Sequence, residues 1–125
     1  MTSTKPTILI VDDEFGLAEM LREMLRDSGC DVALAINGRL ALEVLEDRDV
    51  DLVLTDLMMP VMDGRELAAA IRRDARHRDL PIIMMTSLPI GPSLPSDLFN
   101  AVLRKPFTPD LLVETMGSCL TKRNQ

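Results

Sequence analysis

The sequence predicts an α/β fold, a doubly wound parallel sheet with helices on both faces, and three observations predict it. Short apolar runs of strand composition alternate with segments of helical spacing along the whole chain, without repeats or a linker. The strand-like runs are apolar at nearly every position, which fits burial on both faces of a sheet. Three of them end in charge: ILIVDDE (Ile8 to Glu14), LVLTDLMMPVMDG (Leu52 to Gly64) and VLRKPF (Val102 to Phe107). Strands and helices alternating at this spacing imply right-handed crossovers and a sheet covered on both sides.

In order along the chain, Ile8 to Val11 is a β-branched-rich first strand. Leu17, Met20, Leu21, Met24 and Leu25 then follow the i, i+3, i+4 spacing of a helix stripe, which Gly29 stops. Val32 to Ile36 is the second strand, with Asn37-Gly38 as its turn, and Leu40, Ala41, Val44 and Leu45 mark the second helix. Leu52 to Thr55 is the third strand. Asp63 reads as the N-cap of a third helix carrying Leu67, Ala70 and Ile71, which frays around His77. Ile82 to Met85 and Ala101 to Leu103 are the fourth and fifth strands. Thr108 caps a last helix through Leu111, Leu112, Met116 and Leu120, with Pro109 at its tolerated first position. Between Thr86 and Asn100 the pattern breaks: Pro89, Gly91, Pro92 and Pro95 fall where a crossover helix belongs. A proline inside a helix costs about 3 kcal/mol. The expectation is a short helix at most, from about Ser96 to Asn100, with loop before it.

At 125 residues the chain suits one domain, spanning 1–125 with an ordered core at about 6–122. A chain of this size buries roughly two-thirds of its unfolded surface, and a hydrophobic fraction of 46% is ample for that core. No apolar run approaches the length of a membrane span, and MTSTKPT lacks the apolar region of a secretory signal. Cys30 and Cys119 form no CxxC pair and read as small buried hydrophobes of a reducing cytoplasm. The net charge of −6 argues against direct nucleic-acid binding, which needs a basic face, and three phenylalanines offer no stacking platform. The basic run Arg72, Arg73, Arg76 and Arg78 reads as a solvated helix end favoured by the helix dipole. His77, the single histidine, sits in that run and is expected to be exposed.

Parallel neighbouring strands bring their C-terminal ends to one sheet edge, where open α/β sheets bind ligands. Asp12, Asp13, Asp56 and Lys105 would therefore share one crevice. Carboxylates about 4–5 Å apart repel by a few kcal/mol at an effective dielectric near 20, so a proton or a divalent cation must relieve them. Two or three oxygen ligands with positions left for water and phosphate oxygens describe a Mg²⁺ site. Lys105 supplies a fixed positive charge for a phosphoryl group, and Thr86, ending the fourth strand, offers a hydroxyl. A carboxylate in such a setting can attack phosphorus and form an aspartyl phosphate. Each element has a bland reading by itself: an Asp-Asp pair as a helix N-cap, Lys105 as a solvated strand end, Thr86 as a turn residue. Their occurrence together at successive strand ends favours the site.

These residues carry a resemblance. Asp12-Asp13, Asp56 followed by MMPVMDG, Thr86-Ser87 and Lys105-Pro106-Phe107 together resemble the receiver domain of two-component response regulators, over nearly the whole chain. The resemblance implies a flavodoxin-like, five-stranded sheet of order 2-1-3-4-5. It implies Asp56 as phosphoacceptor, with Asp13, Asp56 and the Met58 carbonyl ligating Mg²⁺ and Asp12 assisting through water. Thr86 and Lys105 would hold the phosphoryl oxygens, and the Lys105-Pro106 bond would be cis. The donor would be a histidine kinase or histidine phosphotransfer protein, and the signal would pass to an unknown downstream protein in the cytoplasm, without direct nucleic-acid or membrane contact. Catalysis would extend to its own phosphotransfer and slow autodephosphorylation. Several features depart from the usual pattern: Val102 replaces an aromatic that swings inward in many receivers, the stretch from Thr86 to Lys105 is short and proline-rich, small Ser87 replaces the common alanine, and Met58 and Leu88 stand where polar side chains often flank the phosphoryl group. Two rival readings are a Mg²⁺-dependent phosphohydrolase with an aspartyl-phosphate intermediate and a pseudo-receiver that only binds partners. The first lacks a general acid, since Leu57-Met58 follow the nucleophile; the intact Asp12, Asp13, Asp56, Thr86 and Lys105 weigh against the second.

Overall fold

The computed structural model describes residues 5–88 and 97–123. Five strands, β1 (Thr7–Val11), β2 (Asp31–Ala35), β3 (Leu52–Asp56), β4 (Ile82–Thr86) and β5 (Ala101–Arg104), form one sheet of order β2-β1-β3-β4-β5. Every pairing is parallel. Four helices are described, α1 (Phe15–Asp27), α2 (Gly38–Asp47), α3 (Gly64–Arg73) and α4 (Pro109–Arg123).

The alternation of side chains along each strand divides the core into two layers. Leu9, Val11, Val53, Ile82 and Met84 face a cluster that includes Ala41 and Leu45 of α2 and Leu67 and Ile71 of α3. Ile8, Ile10, Leu52, Leu54, Ile83 and Met85 face a second cluster with Leu21 and Leu25 of α1 and Leu112 and Met116 of α4. Burial on both faces is why β1, β3 and β4 read as unbroken apolar runs.

Local signals in the sequence set most boundaries. Gly29, at φ +94°, ends α1: its N–H donates to the Arg26 carbonyl and that of Cys30 to the Leu25 carbonyl, both at 3.0 Å. This is the Schellman arrangement, and it needs a left-handed residue that glycine supplies at little cost. Asp63 caps α3 in a reciprocal box with Glu66, and Thr108 Oγ1 accepts from Leu111 N at 3.1 Å at the start of α4.

Four expectations need correction. β2 begins and ends one residue earlier than its apolar run suggests, leaving Ile36 58% exposed. Asn37 is the N-cap of α2, accepting from Leu40 N at 2.9 Å, and Gly38 is the first helical residue, so the pair is a helix start and not a turn. His77 is half-buried, with Nδ1 3.3 Å from Asp74 Oδ2, because the turns after α3 fold back onto the chain. Arg72 is half-buried and does not extend freely into solvent; its guanidinium bonds to two separate loops. Between β4 and β5, Asp97–Leu98 form a turn and Asn100 a bend, with no helix among the described residues. The remainder of the expected loop and short helix, residues 89–96, lies outside the described residues.

Candidate functional site

Backbone hydrogen bonds continue past the strand ends and align the residues that follow. Asp12 N donates to the Ala35 carbonyl at 3.0 Å, Leu57 N to Met85 at 3.0 Å, and Lys105 N to Thr86 at 2.8 Å. The C-terminal edge of β1, β3, β4 and β5 is thereby drawn into one crevice. Asp12, Asp13 and Asp56 each bring a carboxylate oxygen there, all within 4.8 Å of one another. Lys105 Nζ lies 3.3 Å from Asp56 Oδ1 and 3.6 Å from Asp12 Oδ2, and the Lys105-Pro106 peptide that leads into it is cis. Asp12, Asp13, Asp56 and Lys105 thus meet at one edge, at the distances that create the repulsion argued from sequence, and Thr86 ends β4 on that same edge.

The environments of these groups differ. Asp12 is buried, and its Oδ1 accepts from Glu14 N at 2.9 Å. Its Oδ2 is buried with no hydrogen-bond donor among the described residues. Asp13 is exposed and Asp56 half-buried. Burial pushes the Asp56 carboxyl above the usual carboxylate range; Lys105 opposes the rise, Asp12 adds to it, and the Lys105 and Leu57 N–H hydrogen bonds oppose it. Both Leu57 N, at 3.0 Å, and Lys105 bear on Oδ1. Thr86 is buried, and its Oγ1 accepts from Leu88 N at 3.0 Å, which leaves the hydroxyl proton for another acceptor. Met58 and Leu88 are 65% and 51% exposed apolar side chains two residues beyond Asp56 and Thr86.

Two further residues shape the site. Gly64 donates its N–H to the Leu57 carbonyl at 2.8 Å, and a Cβ there would overlap the Asp56 carbonyl oxygen. The Asp63-Gly64 pair after the apolar run carried that signal, because close backbone approach is one use of glycine. Val61 has φ +72°, and Met62 N donates to the Pro60 carbonyl at 2.7 Å, closing a tight turn between β3 and α3. A left-handed β-branched residue costs about 1–3 kcal/mol; nothing in the local sequence announces it, since glycine would be expected there.

The carboxylate set suits a hard cation. Its donors are all oxygen, and the buried Asp12 Oδ2, which accepts no hydrogen bond and has only the Lys105 ammonium 3.6 Å away, is an atom that a cation would satisfy.

The family model for the response regulator receiver domain matches residues 8–116. The chain belongs to this family. Among relatives of this receiver, the DNA-binding response regulator MtrA of Mycolicibacterium smegmatis is 36% identical over 129 residues, covering 100% of this chain and 54% of its own length. The phosphate regulon transcriptional regulatory protein PhoB of Pseudomonas aeruginosa is 37% identical over 126 residues, covering 93% of this chain and 52% of its own length. The receiver thus spans about half the length of the curated relatives it matches. Among solved structures, the chemotaxis protein CheY4 of Vibrio cholerae superposes with a TM-score of 0.87 at 30% identity, covering 93% of this chain and 99% of that one. The response regulator TrrA of Thermotoga maritima, in complex with Mg²⁺ and BeF, gives a TM-score of 0.83 at 33% identity over 91% of this chain and 98% of that one.

Proposed function

We propose that this receiver accepts a phosphoryl group on Asp56 from the phosphohistidine of a histidine kinase or histidine phosphotransfer protein, and signals by changing a surface that a downstream protein reads. The observation that carries this is the Lys105 ammonium 3.3 Å from Asp56 Oδ1, beside two further carboxylates and a buried threonine hydroxyl. Asp56 is the nucleophile: a carboxylate oxygen forms a bond to phosphorus as the phosphorus–nitrogen bond of the donor breaks, and the electron pair leaves with the imidazole. Leu57 N–H and Lys105 hold Oδ1, so Oδ2 is the oxygen placed to attack. Lys105 then neutralises a phosphoryl oxygen, and Thr86 donates its hydroxyl proton to another.

Asp12, Asp13, Asp56 and the Met58 carbonyl would hold Mg²⁺, which when bound supplies the positive charge that phosphoryl oxygens and crowded carboxylates require. The relative TrrA, in complex with Mg²⁺ and BeF, supports that choice of ion. A cytoplasmic location and slow autodephosphorylation go with this reading. So does a single receiver domain over 1–125.

Incubation with a small phosphodonor and Mg²⁺, followed by intact-mass and peptide mapping, tests it. The expected result is one stable phosphoryl group on Asp56, lost in Asp56→Asn. Turnover of donor without accumulation would make the chain a phosphohydrolase, and absence of any label would make it a binding module.

A further inference from the structure

We infer that Arg72 is a positioning residue for Lys105, acting through the entry to β5. This rests on the proposed role of Lys105 at Asp56. β5 has four residues, lies at the sheet edge and pairs with β4 alone, yet it must deliver Lys105 to a site built by the central strands. The described residues directly before it, 97–100, are a turn and a bend. A hydrogen-bonded clasp fixes its start. Asn100 N donates to the Ile82 carbonyl at 2.8 Å, and Asn100 Oδ1 accepts from Ile82 N at 2.8 Å.

The same Oδ1 accepts from an Arg72 terminal nitrogen at 2.9 Å, and that nitrogen also donates to the Leu98 carbonyl at 3.0 Å. The other terminal nitrogen donates to the carbonyls of Leu80 at 2.6 Å and Arg78 at 2.9 Å. One guanidinium at the end of α3 thus ties the approach to β4 to the approach to β5. Only a planar fork of several donors can serve four acceptors in this way; a lysine ammonium has three donors on a point charge. Half-burial strengthens these bonds and makes losing them costly.

The clasp sets the register that runs from Ile83 opposite Ala101 to Thr86 opposite Arg104. Slipping one residue would move the end of β5 by roughly 3.3 Å and send its side chains to the opposite face. The Lys105 ammonium would then miss Asp56.

The test uses the full chain and a double-mutant cycle. Arg72→Met should lower the rate of Asp56 labelling by acetyl phosphate by about tenfold, and Arg72→Lys should not restore it. In a Lys105→Met background, Arg72→Met should change the residual rate by less than about twofold, because the two act as a unit. Amide exchange gives a readout independent of phosphate: the Leu103 and Lys105 N–H groups should exchange roughly tenfold faster in Arg72→Met while β3 is unaltered. Equal loss of rate in both backgrounds, or unchanged exchange in β5, overturns the inference. If Arg72→Met also unprotects β3, Asn100→Ala takes its place with the same expectations. If the wild-type chain takes no phosphate, the phosphoacceptor reading falls, and β5 exchange still decides the clasp.

Discussion

Asp13 is the exposed member of the carboxylate group, and this fixes what its removal does. Asp13→Asn should weaken Mg²⁺ binding and abolish phosphorylation without unfolding the chain, since no buried contact is lost. With one repelling charge removed, stability without metal should be unchanged or higher; an unchanged Mg²⁺ affinity by titration would remove Asp13 from the site. On the proposed function, exposed Met58 and Leu88 would bear on the lifetime of the phosphoryl group. Hydrolysis needs a water held in line with phosphorus, and two apolar side chains cannot orient it. The double variant Met58→Asn, Leu88→Glu should speed decay of the phosphoprotein roughly tenfold, and equal decay rates would sink the water-exclusion argument. Away from the site, hydrogen bonds from the Arg76 side chain and backbone lower the Asp74 carboxyl to about 2, with His77 adding to them. A carboxyl depressed on folding stabilises above its usual value, near 3.9, and loses that contribution as pH falls through the folded value. The melting-temperature gap between wild type and Asp74→Asn should therefore be constant above about pH 5 and close toward pH 2. The gap should be small, because the pair is exposed.

Among the elements, α3 is the one whose start is coupled to chemistry. Its first residue, Gly64, lies against the Asp56 carbonyl, and the Asp63–Glu66 box fixes the helix entry. Gly64→Ala must displace backbone and not a flexible side chain, so it should cost about 1–3 kcal/mol and slow phosphorylation of Asp56. Chemical denaturation and labelling rates measure the two effects; a variant of native stability and rate would mean that the approach relaxes freely. β5 carries the other departure. Val102 is half-buried against the α2–α3 side of the core, and a small branched side chain there offers no ring to reorient between states. The caps were legible because each acts within three or four residues: Asp63 with Glu66, Thr108 with Leu111, Gly29 after α1. Asn37 was misread for the same local reason, since Asn-Gly serves a turn or a helix start equally well.

In the whole molecule the two core layers meet across β1 and β3, whose apolar residues are all buried; only Thr7 and Asp56, at the outer ends of the two strands, are half-buried. Leu54 is fully buried in the central strand, so Leu54→Ala should cost about 2–5 kcal/mol, read from denaturant midpoints. A loss below 1 kcal/mol would mean that α1 and α4 close the cavity. Exchange should be slowest in β1 and β3 and faster in β5, the edge strand.

By itself the sequence determined the alternation of strands and helices, the parallel sheet and the carboxylate–lysine crevice. Those follow from side-chain periods of two and 3.6 and from the rule that parallel strands end on one edge. The order 2-1-3-4-5 entered through family resemblance, and the pairings bear it out. Tertiary structure alone decided where Arg72 goes. Its acceptors Leu98 and Asn100 lie 26 and 28 residues away, and any single basic residue at a helix end looks solvated until a second loop is packed over it. His77 differs: its partner Asp74 lies three residues away, and what hid it is that the chain after α3 turns back at Asp74 and does not fray into solvent. Val61 was hidden too: its left-handed backbone is imposed by anchors on both sides of the turn, Leu57 with Gly64 and the α3 cap, which no local propensity records.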